Sequence, residues 1–264
     1  MIIGPTSTPS MSPTRNDLEV DSEGRARCPD CGKFAIETMI SPVTGKLVRR
    51  SLCCESCQME RDEAKKAKAK EWDLAQARWR RENIEVLLAR AGVSKRFLNC
   101  SFDNFKGKVP ELRPAFITGQ PGTGKSHLAV AYLREDLLVH GEKHCRFLRT
   151  VDLLKEIRDS FDDHSGNSEK QLLDLYGARV PFLVLDDLGA EKVSDFVLQT
   201  LYDLLDRRYG ECLDTLSTSN LSLDELAVHY GGHGPRLGSR IAGMGPTAVL
   251  RGKDRRWQTA TPSV

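Results

Sequence analysis

A glycine-rich run that ends in lysine and serine carries the clearest chemistry in this sequence. Residues 119–126 read Gly-Gln-Pro-Gly-Thr-Gly-Lys-Ser, which fits the phosphate-loop pattern G-x-x-x-x-G-K-[ST]. Glycines in this pattern let consecutive backbone N–H groups turn inward around a polyphosphate. Lys125 is expected to reach the β- and γ-phosphates, and Ser126 is expected to bind Mg²⁺. The residue types and their spacing therefore predict a site for a nucleoside triphosphate such as ATP.

The flanking residues support that interpretation over a chance glycine-rich turn. A short apolar run precedes the loop at residues 115–118, and apolar residues at helical spacing follow it from His127 to Leu133. A phosphate loop requires this order of strand, loop and helix, because the helix N-terminus faces the phosphates. The predicted nucleotide-binding residues are Gly119, Gln120, Pro121, Gly122, Thr123, Gly124, Lys125, Ser126 and His127.

Two adjacent aspartates close a second apolar run. Residues 181–185 are Pro-Phe-Leu-Val-Leu, and Asp186 and Asp187 follow directly. An unbroken apolar run of this length predicts a strand that is buried on both faces of a parallel sheet. At its end, Asp186 would hold Mg²⁺ directly or through water, and Asp187 would polarise the attacking water. Adjacent aspartates alone are typical of a surface turn, but the upstream phosphate loop favours the catalytic interpretation.

Five of the eight cysteines lie between positions 28 and 57. The pairs Cys28/Cys31 and Cys54/Cys57 have C-x-x-C spacing and are separated by 22 residues. Two such pairs suit a tetrahedral zinc ribbon with four thiolate ligands. Residues 34–50 between them have the pattern of a small hairpin with its turn at 42–45. Such a ribbon is expected to fold only with its metal.

Alternatives for the cysteines remain open. Cys53 could replace Cys54 as a ligand, although the second pair would then lose its two-residue spacing. Iron fits the same four-sulfur cage, and disulfides would require an oxidising compartment. No histidine precedes His127, which excludes a mixed cysteine and histidine site in this module.

The elements that must position these residues alternate between strand and helix. Further strands are predicted at 145–148, 214–220 and 247–250, and helices at 151–161, 195–209 and from 223 onward. Ser194 is a candidate N-cap, and Ser222 with Glu225 forms a candidate capping box. This alternation predicts an α/β fold built on a doubly wound parallel sheet.

Composition divides the chain into four segments. Residues 1–24 are rich in Ser, Thr and Pro and are predicted to be a disordered tail. Residues 25–58 are the ribbon, 59–91 a charged helix, and 92–264 the nucleotide-binding domain. The helix is either a solvated linker or a partner-docking element with Trp72 and Trp79 as anchors, and both interpretations stay open.

Charge and hydropathy exclude several classes of protein. The net charge is +2 and the isoelectric point is about 8.1, so any contact with nucleic acid must come from local patches. No apolar stretch approaches the ~20 residues that a membrane span needs, and no signal peptide pattern opens the chain. A reduced, cytoplasmic protein without a membrane partner is the simplest expectation.

Several segments resemble the DnaC/IstB-type AAA+ ATPases. The specific part of the resemblance is Asp-Asp-Leu-Gly at 186–189 followed by Thr-Ser-Asn-Leu at 218–221, since a phosphate loop alone occurs in many families. The other matching segments are the phosphate loop, 94–105, 208–209, 236–241 and 252–256. The resemblance covers residues 92–258 and implies an AAA+ fold and Mg²⁺-dependent ATP hydrolysis.

The resemblance also implies roles for residues that local patterns leave undefined. Asn220 matches the sensor that holds the attacking water. Arg240 matches the arginine that reaches the γ-phosphate of a neighbouring subunit, which would make hydrolysis depend on a homo-oligomer; a solvated surface charge is the alternative. Arg256, or alternatively Arg255, matches a second sensor that contacts nucleotide in the same chain. The implied catalytic residues are Lys125, Asp186, Asp187, Asn220 and Arg240.

Two departures from the family pattern bear on mechanism. Many AAA+ proteins carry glutamate where this chain has Asp187, and its shorter reach suits a switch better than a motor. Only 44 residues follow Asn220, too few for the full helical lid that many relatives carry.

Within this family the resemblance implies two common roles. One is to load a replicative helicase onto single-stranded DNA during DNA replication, with ATP hydrolysis at subunit interfaces as the release switch. The other is to assist a transposase. A cysteine ribbon followed by a charged helix resembles loaders of the DnaC/DnaI kind, in which the N-terminal module grips the helicase, and favours the first role. A nucleotide-gated nucleic-acid adaptor with little turnover is a third hypothesis. The partner protein, the oligomer size and whether the ribbon binds protein or DNA stay open.

Overall fold

The computed structural model describes residues 20–43, 46–51, 53–160 and 169–254. The chain forms two compact units, one ending at Ala75 and the other beginning at Gln76. The strands are β1 Arg25–Arg27, β2 Phe34–Ile40, β3 Leu47–Arg49, β4 Phe116–Gly119, β5 Cys145–Arg149, β6 Phe182–Leu188, β7 Asp214–Ser219 and β8 Thr247–Leu250. The helices are α1 Glu55–Glu82, α2 Ile84–Arg90, α3 Lys125–His140, α4 Thr150–Asp159, α5 Glu169–Asp174, α6 Asp195–Gly210, α7 Leu223–Tyr230 and α8 Gly234–Met244.

The first unit contains an antiparallel sheet with strand order β1-β2-β3. Of the tail predicted at residues 1–24, only 20–24 are described, and Val20 there pairs with Ala26. The predicted hairpin is formed by β2 and β3, and residues 44–45 of its turn lie outside the described residues. The core of this unit is small and consists of Ala26, Cys28, Ile36, Cys53, Cys54 and Cys57.

The charged segment differs from the single exposed helix predicted for residues 59–91. Helix α1 begins earlier, at Glu55, and ends at Glu82. Asn83 follows with ψ of 18°, and its side-chain amide donates to the carbonyl of Trp79 at 2.9 Å. The chain then re-forms as α2, whose Leu87 and Leu88 are fully buried in the second unit. The prediction was wrong for this last part because its two leucines complete an apolar core.

The second unit is built on a five-stranded parallel sheet with strand order β5-β6-β7-β4-β8. Side chains of β6 alternate between its two faces. Leu183 and Leu185 pack with residues of α4, α5, α6 and α8, while Phe182 and Val184 pack with residues of α2 and α3. Both faces are therefore covered, which confirms the α/β fold with a doubly wound sheet.

The predicted helix caps are present in this unit. Ser194 accepts a hydrogen bond from the Val197 amide at the start of α6. Ser222 and Glu225 exchange the two hydrogen bonds of a capping box at the start of α7. Helix α4 ends at Asp159, two residues before the predicted Phe161, which lies outside the described residues. No helix within the described ranges combines the length and apolar character that a membrane span would need.

Candidate nucleotide site and four-cysteine cluster

The glycine-rich loop connects the buried strand β4 to the N-terminus of α3. Gly122 has φ of 73° and Gly124 has φ of 101°, left-handed conformations that glycine adopts without steric cost. A Cβ on Gly122 would also collide with the carboxylate of Asp254. The loop thus aims backbone N–H groups and the positive end of α3 at one point, as an anion site requires.

Lys125 is the first residue of α3 and is only 7% exposed. Its ammonium group donates to the carbonyls of Gly119 at 2.8 Å and Gln120 at 3.1 Å. It also donates to the side-chain oxygen of Asn220 at 2.7 Å. These acceptors hold the charge over the loop, where the phosphates of a nucleotide would attract it.

Asp186 lies at the end of β6 and is buried between two hydroxyl groups. Ser126 donates to its Oδ2 atom at 3.1 Å, and Thr218 donates to its Oδ1 atom at 2.7 Å. Burial raises the pKa of Asp186, against the lowering effect of these two hydrogen bonds. Oxygen ligands at about 2.1 Å in an octahedron lie about 3 Å apart. The Ser126 and Asp186 oxygens therefore fit adjacent positions around Mg²⁺.

Asp187 has a left-handed backbone with φ of 64°, rare for a residue other than glycine. The register of the pairing between β6 and β7 shifts between Leu185 and Leu188, and Asp187 lies within this irregular stretch. The Asp187 amide donates to the Thr218 hydroxyl at 3.0 Å, and the carboxylate accepts from the Asn220 amide at 3.3 Å. Strain of this kind concentrates at functional sites, and here it turns the carboxylate toward Asn220.

Asn220 joins the two halves of the site. It follows β7, and its side chain accepts from Lys125 through oxygen and donates to Asp187 through nitrogen. The structure therefore brings together Lys125, Ser126, Asp186, Asp187 and Asn220, which come from three separate segments of the sequence. The parallel order β6-β7-β4 produces this meeting, because all three strands end at the same edge of the sheet.

Other predicted site residues lie apart from this network. The His127 ring contacts the carbonyl of Ser101 through Nε2 at 3.0 Å and lies 5.4 Å from the Phe105 ring. Its described contacts are thus with the segment before β4. Arg255 and Arg256 lie outside the described residues. The last described residue, Asp254, lies against Gly122 of the phosphate loop.

Arg240 lies on α8, and its described contacts are on α6. Its Nε atom donates to Asp206 at 2.5 Å, and its guanidinium lies 5.0 Å from the centre of the Tyr209 ring. The hydrogen bond from Arg240 to Asp206 raises the pKa of the arginine. The Arg240 side chain is partly exposed, and its positive charge pairs with Asp206 at the surface of the same chain.

Sequence reasoning missed two residues of the nucleotide site. Thr218 ties Asp186 to Asp187 through one hydroxyl, and Asp254 approaches the phosphate loop. The polar end of β7, Thr-Ser-Asn, was a usable signal for Thr218. Asp254 had no such signal, because its approach depends on the path of the chain after β8.

The N-terminal unit gathers four thiols at one point. The sulfurs of Cys28, Cys31, Cys54 and Cys57 all lie within 4.8 Å of one another. The sulfurs of Cys31 and Cys54 are 3.7 Å apart, far longer than a disulfide bond of about 2.05 Å. A tetrahedron of sulfurs at about 2.3 Å from zinc has edges of about 3.8 Å. The donor set and its spacing fit Zn²⁺, and all eight cysteines are free.

The cluster distinguishes Cys54 from its neighbour Cys53. The Cys54 amide donates to the Cys28 sulfur at 3.3 Å. Burial opposes ionisation of Cys28, but N–H donors led by that of Cys54 lower its pKa to about 6. Cys53 is buried outside the cluster, where its thiol donates to Gln58 at 3.3 Å and burial raises its pKa. A thiolate is thus favoured at Cys28, as metal binding requires.

The parallel strand order and the phosphate loop define a P-loop protein built on a doubly wound α/β sheet, preceded by a four-cysteine cluster. Residues 112–234 match the family model described as IstB-like ATP binding protein.

Named relatives are also similar to this chain. The chain is 31% identical over 161 residues to the replicative helicase loader DnaC of Escherichia coli (strain K12), covering 54% of this chain and 64% of that protein. It is 29% identical over 178 residues to DnaC of Buchnera aphidicola subsp. Acyrthosiphon pisum (strain APS), covering 57% and 71%. The crystal structure of the DnaC helicase loader matches with a TM-score of 0.49 and 27% identity, over 60% of this chain and 100% of that one. The chain spans less than two thirds of the E. coli relative.

Proposed function

We propose that this chain binds ATP with Mg²⁺ and hydrolyses it. The observation that carries the proposal is the position of Asn220, whose side chain bridges Lys125 at the phosphate loop and the Asp187 carboxylate. A water between Asp187 and the γ-phosphate would contact both groups, and Asn220 would orient it. Ser126 and Asp186 would hold Mg²⁺, which neutralises charge on the transferring phosphoryl group.

Arg240 is proposed to act on the nucleotide of a neighbouring subunit. Its described contacts are with Asp206 and Tyr209, and none of them is with the phosphate-loop residues. An arginine supplied by a second chain contributes about 10³–10⁵ in rate in other phosphoryl-transfer proteins. Hydrolysis would then require a homo-oligomer, formed on ATP and single-stranded DNA. Arg256, or alternatively Arg255, would contact nucleotide in its own chain, since Asp254 approaches Gly122.

The proposed role of the ATPase is to load a replicative helicase onto single-stranded DNA in the cytoplasm during replication. The two named relatives are replicative helicase loaders. The N-terminal unit with its zinc-loaded cluster and the helix α1 are proposed to bind the helicase. Trp72 on α1 is 66% exposed, and an exposed tryptophan is an effective interface anchor. Hydrolysis would release the helicase after loading.

A helicase-loading assay tests this proposal. The replicative helicase from the same genome is mixed with a DNA duplex that has a single-stranded tail coated by its binding protein, and unwinding of the duplex is measured with and without this chain. We expect unwinding to depend on the chain and on ATP, and Trp72→Ala to weaken helicase capture. Leu112→Ala is the matched control, because Leu112 is 71% exposed but lies in the second unit. Unwinding that is indifferent to the chain would contradict the loading role.

A transposase helper is the second candidate, because the matching family model is named after IstB. The two roles differ in the protein that is captured. Immobilised full-length chain with ATP should retain the helicase under the first role and the transposase of a neighbouring insertion element under the second. A nucleotide-gated adaptor would instead retain its partner with Asp187→Ala as well as with the wild-type chain, and show little turnover.

A further inference from the structure

A cluster of three metal-binding side chains lies outside the nucleotide site. Asp136 and His140 are four residues apart on α3, so they share one face of the helix. His144 follows after a turn, immediately before β5. The carboxylate and the two imidazoles offer ligand atoms that all lie within 4.8 Å of one another.

Two of the three side chains are already held in place. The Asp136 side chain is 8% exposed, and its Oδ2 atom lies 2.7 Å from Nδ1 of His144. The His144 carbonyl accepts from the Phe182 amide at 3.0 Å, which fixes its backbone to the central sheet. The His140 ring stacks on the His144 ring with centroids 4.2 Å apart. His140 is the exposed member of the three.

The surroundings leave the carboxylate available to a cation. Arg113 lies 3.7 Å from Asp136, but the same guanidinium also pairs with Asp214. One positive charge is therefore shared between two carboxylates. The neighbouring Cys145 is fully buried in β5. Its sulfur is not among the ligand atoms that meet at this cluster.

We propose that Asp136, His140 and His144 form a binding site for a divalent transition-metal ion such as Zn²⁺, separate from the nucleotide site and the four-cysteine cluster. The ion would lie between Asp136 and Nδ1 of His144, which would bind it as a neutral imidazole with its proton on Nε2, and His140 would supply the third ligand. Ligands at about 2.0–2.2 Å from a tetrahedral ion lie roughly 3.4 Å apart. The atoms of Asp136 and His144, now 2.7 Å apart, would separate by roughly 0.7 Å, and no other pair of ligand atoms would need to approach by more than ~1.5 Å.

The donor set determines which ions would bind. Imidazole nitrogen suits Zn²⁺, Ni²⁺ and Cu²⁺, whereas Mg²⁺ and Ca²⁺ prefer an all-oxygen shell. Three protein ligands leave the fourth position to water. The bound ion would join the C-terminus of α3 to the start of β5. The Mg²⁺ that accompanies ATP would not compete for this site.

Calorimetry on the tag-free full-length chain tests the proposal. The chain is first loaded with Zn²⁺ at the four cysteines, dialysed, and then titrated with ZnCl₂ in the absence of nucleotide and Mg²⁺. We expect one further equivalent to bind. Removing a residue that only hydrogen-bonds a metal ligand weakens metal binding by about 10–100-fold. His140 is itself a ligand in the proposed site, so His140→Ala should weaken binding of the further Zn²⁺ at least ~10-fold.

Two controls separate this site from other sources of binding. His229→Ala removes an imidazole elsewhere and should leave the titration unchanged. Co²⁺ in place of the added Zn²⁺ should give ligand-field bands without the thiolate charge-transfer band of a cysteine site. His140 is exposed, so its substitution should not disturb folding, and circular dichroism would verify this. No further uptake by the wild-type chain, or equal uptake by His140→Ala, would overturn the proposal.

Discussion

The nucleotide site and the four-cysteine cluster are held in position by different physical means. The side chains of the first stand at the end of a sheet whose two faces are covered by apolar cores. Among the described residues, the core around the second consists of six side chains, four of which are cysteines. The sheet can therefore form before nucleotide arrives, whereas the cysteine unit buries too little apolar surface to fold alone. The comparison teaches that one site is preorganised by the fold, while the other is expected to form only when a metal binds.

Metal removal should have the largest effect and should affect only one unit. Binding of structural zinc contributes about 10–16 kcal/mol in zinc-finger peptides. We expect a chelator to unfold the N-terminal unit and to leave the second unit folded. Limited proteolysis of the full-length chain checks this: cleavage should appear before Ala75 on chelation and disappear when Zn²⁺ is restored.

Cysteine substitutions sharpen that prediction. Cys28→Ser should reproduce the cleavage and abolish stoichiometric zinc, whereas Cys53→Ser should keep its zinc, because Cys53 lies outside the cluster. Loss of zinc from Cys53→Ser with retention in Cys54→Ser would show that the fourth ligand has been misassigned.

Asp187→Asn should give the next largest effect. Asparagine tolerates the left-handed backbone of this position, so the fold should be retained while the basic carboxylate is lost. General bases contribute about 10²–10⁴ in rate. We expect ATP hydrolysis to fall by that factor with ATP binding unchanged, measured by steady-state phosphate release and by a fluorescent ATP analogue. Asp224→Asn, on an exposed helix start, is the control, and an equal loss there would contradict the assignment.

Arg208→Met should produce the largest loss of stability in the preorganised region. Arg208 is fully buried, and burial lowers its pKa to about 10. It donates to the Thr215 hydroxyl and to the carbonyls of Tyr176, Val180, Pro181 and Asp214. Substitution of Arg208 by Met removes the hydrogen-bond donors that these five acceptors share. Four of the acceptors lie next to or at the start of β6 and β7. We expect unfolding free energy to fall by at least about 3 kcal/mol in urea.

The neighbouring arginine supplies the control for that measurement. Arg207 is partly exposed and pairs with Asp174 at 2.8 Å. Its substitution to Met should lower stability by less than about 1 kcal/mol. Equal effects at the two positions would show that burial of Arg208 does not determine the stability of this unit.

The smallest effect concerns the pH dependence of the nucleotide-free chain. The folded-state pKa of Asp186 is raised by burial, so the folded state holds this proton more tightly than the unfolded state does. Its contribution favours folding at low pH and is lost as pH rises through the raised pKa. We expect Asp186→Asn to lose less stability than the wild-type chain between pH 4 and neutrality. Urea unfolding at both pH values checks this, and parallel pH profiles would contradict it.

Local patterns predicted part of the nucleotide site. The phosphate loop and the Asp186–Asp187 pair were predictable because each adjoins an apolar run with its own sequence signal, whereas the role of Asn220 came only from the family resemblance. Thr218 on β7 donates a hydrogen bond to Asp186 on the neighbouring strand β6. Its role therefore depends on the order of the strands in the sheet, which no local sequence pattern encodes.

The same limit applies outside the site. The burial of α2 depends on an apolar core contributed by distant segments. His140 and His144 likewise become a pair only when the chain reverses between α3 and β5. Sequence spacing alone was insufficient to predict which residues contact one another through the tertiary fold.

The most direct test of the account is ATP hydrolysis by mixtures of two inactive variants. Lys125→Ala disables the phosphate loop, and Arg240→Ala disables the proposed trans arginine. Each is measured alone and in mixture, with and without single-stranded DNA. We predict DNA-stimulated hydrolysis in the wild-type chain, its loss in each variant, and partial recovery in the mixture, since one interface then has both residues intact. Full activity of Arg240→Ala, or no recovery on mixing, would contradict a site shared between subunits.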